Sequence, residues 1–306
     1  MRHAYRTDRE SPVESKRVRR YTTVLVLLAV ALHAAAATAE EDAKPNRPLI
    51  LVPLPDAPSW QDMALLAAVP SASIANDGKP AVIALPESGQ VGRETHDYLR
   101  RYRPTIAYML GGPTKASPAP PCSWKALSAD SAMSAGCVLA RTFWESSETV
   151  VLCGEDDYRS ALVASTLAAR LESPLLFCTK TTLPAGTATE MERLGASRVI
   201  TVGLAGKVSK AIKKRIPAVT RLADAKAVLT WMRKKELDVD YIAAVNPRDR
   251  SETIIKKLSL AGVLLAAGRQ GMVVPLAYNG IWKQGFTGEA CEKDLPEGVT
   301  LTRLSV

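Results

Sequence analysis

The stretch "TVVLCGEDDYRSALVASTLAARLESPLLFCTKTTLPAGTATEMERLGASRVITVG", residues 149–203, decides the fold. "TVVLC" is apolar throughout, as a strand buried on both faces is. "YRSALVASTLAARL" sets Ala161, Leu162, Ser165, Leu167, Ala168 and Leu171 on one helical stripe. "SPLLFCT" is a second strand, "PAGTATEMERLG" a second helix closed by Gly195, and "SRVITVG" a third strand. "KVSKAIKKRI", residues 207–216, predicts a third helix. Wholly apolar strands alternating with helices predict a parallel sheet covered on both faces, an α/β protein.

The same order occurs earlier in the chain. "RPLILVPLPD" is a strand, "SWQDMALLAAVPSA" a helix, "KPAVIALPES" a strand, "GRETHDYLRRY" a helix and "TIAYMLGG" a strand. It begins again late, as strand "DYIAAVNPRD", helix "ETIIKKLSLAGVLLAAG" and strand "QGMVVPLAYNG". "FTGEACEKDLPEGVTLTRLSV" does not complete this third unit. Self-similarity of this kind predicts tandem repeats. The expected organisation is a targeting segment at 1–39 and a first α/β unit at 46–116. Residues 117–222 hold a linker, a lead-in helix and the second unit, and 223–306 an incomplete third. The linker is the Pro-, Ser- and Ala-rich "PTKASPAPPCSWKALSADSAMSAG", and its lead-in helix "CVLARTFWESS"; the third unit has its own, "DAKAVLTWMRKKEL".

The first forty residues follow another logic. A basic run ending "KRVRR" passes into the uncharged "YTTVLVLLAVALHAAAA" and then "ATAEE". That is the pattern of a secretory signal, with cleavage expected after Ala39; an uncleaved anchor is the alternative, and only then would a membrane be a partner. Either way the body of the protein is expected outside the cytoplasm. The 306-residue chain carries a formal charge of +9. Loss of residues 1–39 removes seven Lys/Arg and three Asp/Glu, leaving +5. A mild basic excess favours anionic partners such as wall polymers or lipid headgroups. Nucleic acid is not expected, because no basic surface is interleaved with aromatics.

Residues 150–216 also carry an ordered set of motifs. Gly154, Glu155, Asp156, Ala161, Leu162, Ala168, Ala169, Pro174, Leu175, Leu176, Leu183, Pro184, Leu194, Gly195, Val199, Gly203, Val208 and Ser209 follow in sequence. In this order they resemble the type 2 cell-wall-binding repeat; "YMLGGPT" and Asp62-Met63-Ala64-Leu65 are fainter echoes in the first unit. The resemblance implies Rossmann-like or flavodoxin-like three-layer units with parallel sheets, used in threes around a pseudo-threefold axis. It also implies non-covalent retention at the cell surface on anionic wall polymers. The chain departs from the family at four places, one of them Cys153, where the family usually has a small residue. Ser160 stands where the family has Asp, and Gly203-Leu204-Ala205-Gly206 where it has Gly-Gly. Ala223-Asp224-Ala225-Lys226 opens a lead-in helix where the family has Gly-x-Asp-Arg-Tyr.

Several groups are candidates for chemistry. Glu155, Asp156 and Asp157 lie between a strand and a helix, where free N–H groups favour acids; they either cap the helix, contact a ligand or polymer, or catalyse. Catalysis would need a second acid such as Asp56 or Asp249 from another unit. "GLAGKVS" reads as a turn built on Gly203, Gly206 and Ser209, or as a phosphate cradle, although it lacks the Gly-Lys-Ser/Thr order. Lys207, Lys210, Lys213, Lys214 and Arg215 form the polar face of their helix, solvated or in contact with a polymer. Cys122 and Cys137 flank an irregular stretch and can close a loop; Cys153 and Cys178 each follow an apolar strand-like run and, if those strands are neighbours, form a disulfide or two buried thiols, and Cys291 is odd. No metal site is expected, since only His96 remains outside the targeting segment, and no cofactor motif occurs. Without G-x-S-x-G or H-E-x-x-H, the expectation is a non-enzymatic protein that docks at the cell envelope. The alternatives are a periplasmic ligand binder or hydrolase using the carboxyl edge of the sheets, or the docking part of a longer protein.

Overall fold

The computed structural model describes residues 47–54, 64, 67–72, 81–111, 117, 122–179, 181–204, 210, 212–216, 218–237, 239, 241–245 and 271–275. The first repeat supplies β1 (Pro48–Leu54), β2 (Ala81–Pro86), helix α1 (Arg93–Tyr102), β3 (Ile106–Leu110) and β4 (Ser123–Leu127). Lead-in helix α2 (Ala132–Phe143) then opens the second: β5 (Thr149–Gly154), α3 (Tyr158–Arg170), β6 (Leu175–Cys178), α4 (Ala185–Arg193), β7 (Arg198–Val202) and β8 (Ala218–Leu222). Lead-in helix α5 (Ala225–Lys234) precedes β9 (Tyr241–Val245) and β10 (Gly271–Pro275). The first sheet runs β2-β1-β3-β4, the second β6-β5-β7-β8, and the third pair β10-β9. Every pairing is parallel. β9 and β10 therefore repeat the relation of β1 to β2 and of β5 to β6.

The fourth strand of each sheet corrects the sequence reading. Residues 123–127, expected within a linker, pair with β3, so that Leu110 lies beside Leu127. Residues 218–222 pair with β7 in the same way, Val202 beside Leu222. In "SWKAL" and "AVTRL" only the final leucine is buried, Leu127 at 5% and Leu222 at 6% exposure. An edge strand with one covered end carries no apolar run, so periodicity could not reveal it.

Alternation along the strands divides the core. Ile50 and Val52 of β1, with Val151 and Cys153 of β5, face one large cluster. Leu49 and Leu51 face a second cluster against α1, and Val150 and Leu152 a third against α2 and α4. The large cluster also takes Ala64, Ala67, Ala68, Val69 and Ala72, α3, α5 and Met272 and Val274 of β10, so elements of all three repeats share it. Helix α3 is buried without interruption from Ala161 to Ala169. It lies between its own sheet and the third strand pair, where Arg159 Nη2 reaches the carbonyl of Pro275 at 3.4 Å. Alanine at four of those nine positions lets backbones approach on every side.

A buried ion cluster fixes α2 against α4. Glu190 is fully buried, and its carboxylate accepts from Arg141 Nε at 2.7 Å and Arg193 Nε at 2.8 Å. Arg193 also donates to the carbonyls of Ala140, Trp144 and Glu145, which end the lead-in helix. Trp144 Nε1 in turn donates to the carbonyl of Glu172 at 2.9 Å. The carbonyls at the end of the lead-in helix thus receive donors from α4 of the same repeat.

Candidate functional site

Open parallel sheets bind ligands beyond the carboxyl ends of their strands, where the strand order reverses. In the second sheet that place lies between β5 and β7, at Gly154 to Asp157 and at Gly203. Asp157 is the N-cap of α3. Its Oδ1 accepts the backbone N–H of Ser160 at 3.0 Å and its Oδ2 the Ser160 hydroxyl at 2.6 Å. Both carboxylate oxygens are therefore engaged within the cap. Ser160, the departure from the family's Asp, supplies a donor where a second carboxylate would bring like charge.

Gly203 closes over this cap. It follows β7 with φ +69, and its N–H donates to the carbonyl of Leu222 at 3.0 Å. A Cβ there would lie 2.0 Å from Ser160 Oγ, 2.7 Å from Ser160 Cβ and 3.1 Å from Asp157 Oδ2. Gly111 repeats the device after β3, with φ +72 and its N–H on Leu127 at 2.8 Å. The glycine of the motif is a packing requirement, and the switch point of the second sheet is filled by the protein's own side chains.

Glu155 and Asp156 complete the turn. The Glu155 N–H donates to the carbonyl of Cys178 at 3.0 Å, tying the turn to β6. Burial, with Asp156 nearby, pushes the Glu155 carboxyl up. Gly154 is buried beside Asp156 Oδ1, 3.3 Å from where its Cβ would be. Asp56 and Asp249, the acids that a catalytic cluster would draw from other repeats, lie outside the described residues. Among the described residues no three His, Cys, Asp or Glu side chains gather to hold a metal. His96 is half-buried on α1.

The four cysteines in the described residues are free thiols. Cys122 packs against the cluster under α1, and Cys137 lies in the cluster between α2 and α4. β5 and β6 are neighbours as expected, but Cys153 pairs in register with Phe177 and Gly154 with Cys178. That offset of one residue sends the sulfurs to opposite faces, Cys153 to the large cluster and Cys178 to the other. The nearest link is Cys178 Sγ to the Cys153 carbonyl at 3.6 Å. Burial pushes the Cys178 thiol up to about 12, with Glu155 and Asp156 adding to it. Burial also raises Cys153, well above its ordinary value.

The basic helix is partly described. Residues 210, 212 and 213 are helical, with Ile212 and Ile216 buried and Lys210, Lys213 and Lys214 exposed. Arg215 pairs with Glu192. Lys207, Gly206 and Ser209 lie outside the described residues. Leu183 packs against the core, and Pro184 is the N-cap of α4, its carbonyl accepting the Ala188 N–H at 3.0 Å.

Fold and site define a tandem repeat of parallel α/β units, in the second of which the turn between β5 and α3 is closed by its own side chains. Among solved structures, similar chains are Cwp6 and Cwp8 from Clostridium difficile. Cwp6 superposes with a TM-score of 0.60 and 15% identity, over 76% of this chain and 38% of that one. Cwp8 gives 0.56 and 16%, over 78% and 42%. The chain thus spans about two fifths of the length of either. No family model matches the sequence, and no curated protein does. The α/β repeat fold read from residues 150–216 is thus shared with Cwp6 and Cwp8.

Proposed function

We propose that this chain is an exported, non-enzymatic repeat protein that docks non-covalently on anionic polymers of the cell envelope. The observation that carries the proposal is the repeat fold itself, shared with the cell wall proteins Cwp6 and Cwp8. The filled switch point of the second sheet supports it, since Asp157 spends both carboxylate oxygens on Ser160. So does the exposure of Lys210, Lys213 and Lys214. No cofactor enters this function, and no nucleic acid. The uncharged segment before Ala39 exports the chain. No helix among the described residues is long and apolar enough to cross a membrane.

Sedimentation of the full chain with purified envelope tests the proposal. Binding is expected at low salt, reversed by added salt, and weakened in Lys210→Gln/Lys213→Gln/Lys214→Gln. A chain that stays in the supernatant at low salt would remove the proposal.

A further inference from the structure

The two described repeats use their arginines differently. In the second repeat three arginines around the amino edge of the sheet have a carboxylate. Arg193 lies on Glu190, Arg198 on Glu148 at 3.2 Å, and Arg215 on Glu192. At the equivalent end of the first repeat, Arg100, Arg101 and Arg103 are exposed and make no ion pair among the described residues. Of the acids of the same helix, Glu94 lies in the first turn and Asp97 one turn before Arg100 and Arg101, and neither forms an ion pair with them. Arg47 joins the cluster from the start of β1, where its Nη1 donates to the Tyr102 carbonyl at 3.0 Å. Its backbone is held on both sides by Thr105.

Completing the helix end does not account for this concentration of charge. Basic side chains in a last turn do complement the helix dipole. Here Arg47 already serves the Tyr102 carbonyl, and the Arg103 N–H serves that of Leu99. Arg103 adopts the left-handed φ of 51 as the C-cap, placing a third guanidinium beyond the helix. Beside them stands Tyr98, the exposed large hydrophobic side chain among the described residues at 47%. One face of its ring stacks on Tyr102, centroids 5.6 Å apart, and Tyr102 is anchored through its hydroxyl to the Pro48 carbonyl at 3.0 Å. Guanidinium forks match carboxylate and phosphate oxygens in pairs. A rigid tyrosine ring next to them offers an apolar face of the size of a sugar ring.

We infer that this amino-edge cluster of the first repeat, Arg47, Arg100, Arg101 and Arg103 with Tyr98, is the surface on which an acidic glycan docks. The inference rests on the envelope-docking proposal and moves its principal contact away from the lysines of the second repeat. The anionic group is a carboxylate or a phosphodiester, both of which the guanidinium forks accept.

Binding of the full chain to two probes tests it: polygalacturonate for carboxylates and poly(ribosylribitol phosphate) for phosphodiesters, with neutral dextran as the control. Arg100→Gln/Arg101→Gln/Arg103→Gln should bind the preferred probe about tenfold more weakly, whereas the triple lysine variant, which keeps this surface, should lose only about threefold. Tyr98→Ala should weaken polygalacturonate while leaving polyglutamate, which carries no sugar, unchanged. Melting curves establish that each variant is folded, and Arg101→Gln/Arg103→Gln replaces the triple variant if it is not. A wild type that binds neither probe fails the docking proposal itself. A wild type that binds, with the arginine variant unaffected, overturns only the assignment of this surface. Equal, arginine-dependent binding to phosphatidylglycerol vesicles would make it a lipid surface and overturn the glycan.

Discussion

Gly195 and Gly203 have the same backbone angle and different surroundings, which separates two costs that are usually confounded. Their φ values are +68 and +69. Nothing lies within 4 Å of a Cβ built on Gly195, whereas one built on Gly203 falls 2.0 Å from Ser160 Oγ. Gly195→Ala should therefore cost only the left-handed backbone, about 1–2 kcal/mol. Gly203→Ala carries that cost and also drives Ser160 away, forfeiting a cap worth about 0.5–2 kcal/mol. The difference between the two variants is then about 0.5–2 kcal/mol, or roughly 1–8 °C in melting temperature for a chain of this size. Thermal and urea unfolding of both variants measure it. Ser160→Gly added to Gly203→Ala should restore about 1 kcal/mol or more relative to additivity, because it removes both atoms that crowd the new methyl. Equal losses for the two alanine variants, with no coupling to position 160, would refute the close approach of Gly203 to the cap.

The other perturbations concern burial. Arg193→Ala should cost about 2–4 kcal/mol in urea unfolding, because Glu190 keeps only Arg141 in a buried site and the end of α2 loses its donors. The thiols of Cys153 and Cys178 should resist labelling by a small thiol reagent in the native state at pH 8 and react once unfolded, and non-reducing mass analysis should find them unlinked. Stability should fall between about pH 9 and pH 12, because above the ordinary value the unfolded Cys178 thiol ionises while the folded one, raised to about 12, holds its proton. Cys178→Ala should lessen that slope, and an unchanged slope would contradict the burial.

Much of this fold was legible because its strands are apolar on both faces and its helices rich in alanine. "TVVLC", "PLLF" and "RVITV" have no other stable disposition than the inside of a covered parallel sheet. The strand-to-helix turn was legible too: Asp157 caps α3 as its position suggested. What escaped depends on contacts between distant residues. The edge strands "SWKAL" and "AVTRL" carry one buried leucine each, and only their pairing with β3 and β7 defines them. The faces of Cys153 and Cys178 follow from a register that no local pattern fixes. Glu190 sits inside a helix whose pattern marks it as one more charged residue, and Arg141 is 49 positions away. The arginines of α1 look like any solvated helix end until the second repeat shows the same place with its charges paired.

The most direct test of the central claim is co-sedimentation of the full chain with purified envelope polymer across a salt series. The account predicts binding at low ionic strength that declines steadily as salt screens the basic surfaces, with none to a neutral glycan. Binding that ignores salt, or that is equally strong on neutral dextran, would contradict it.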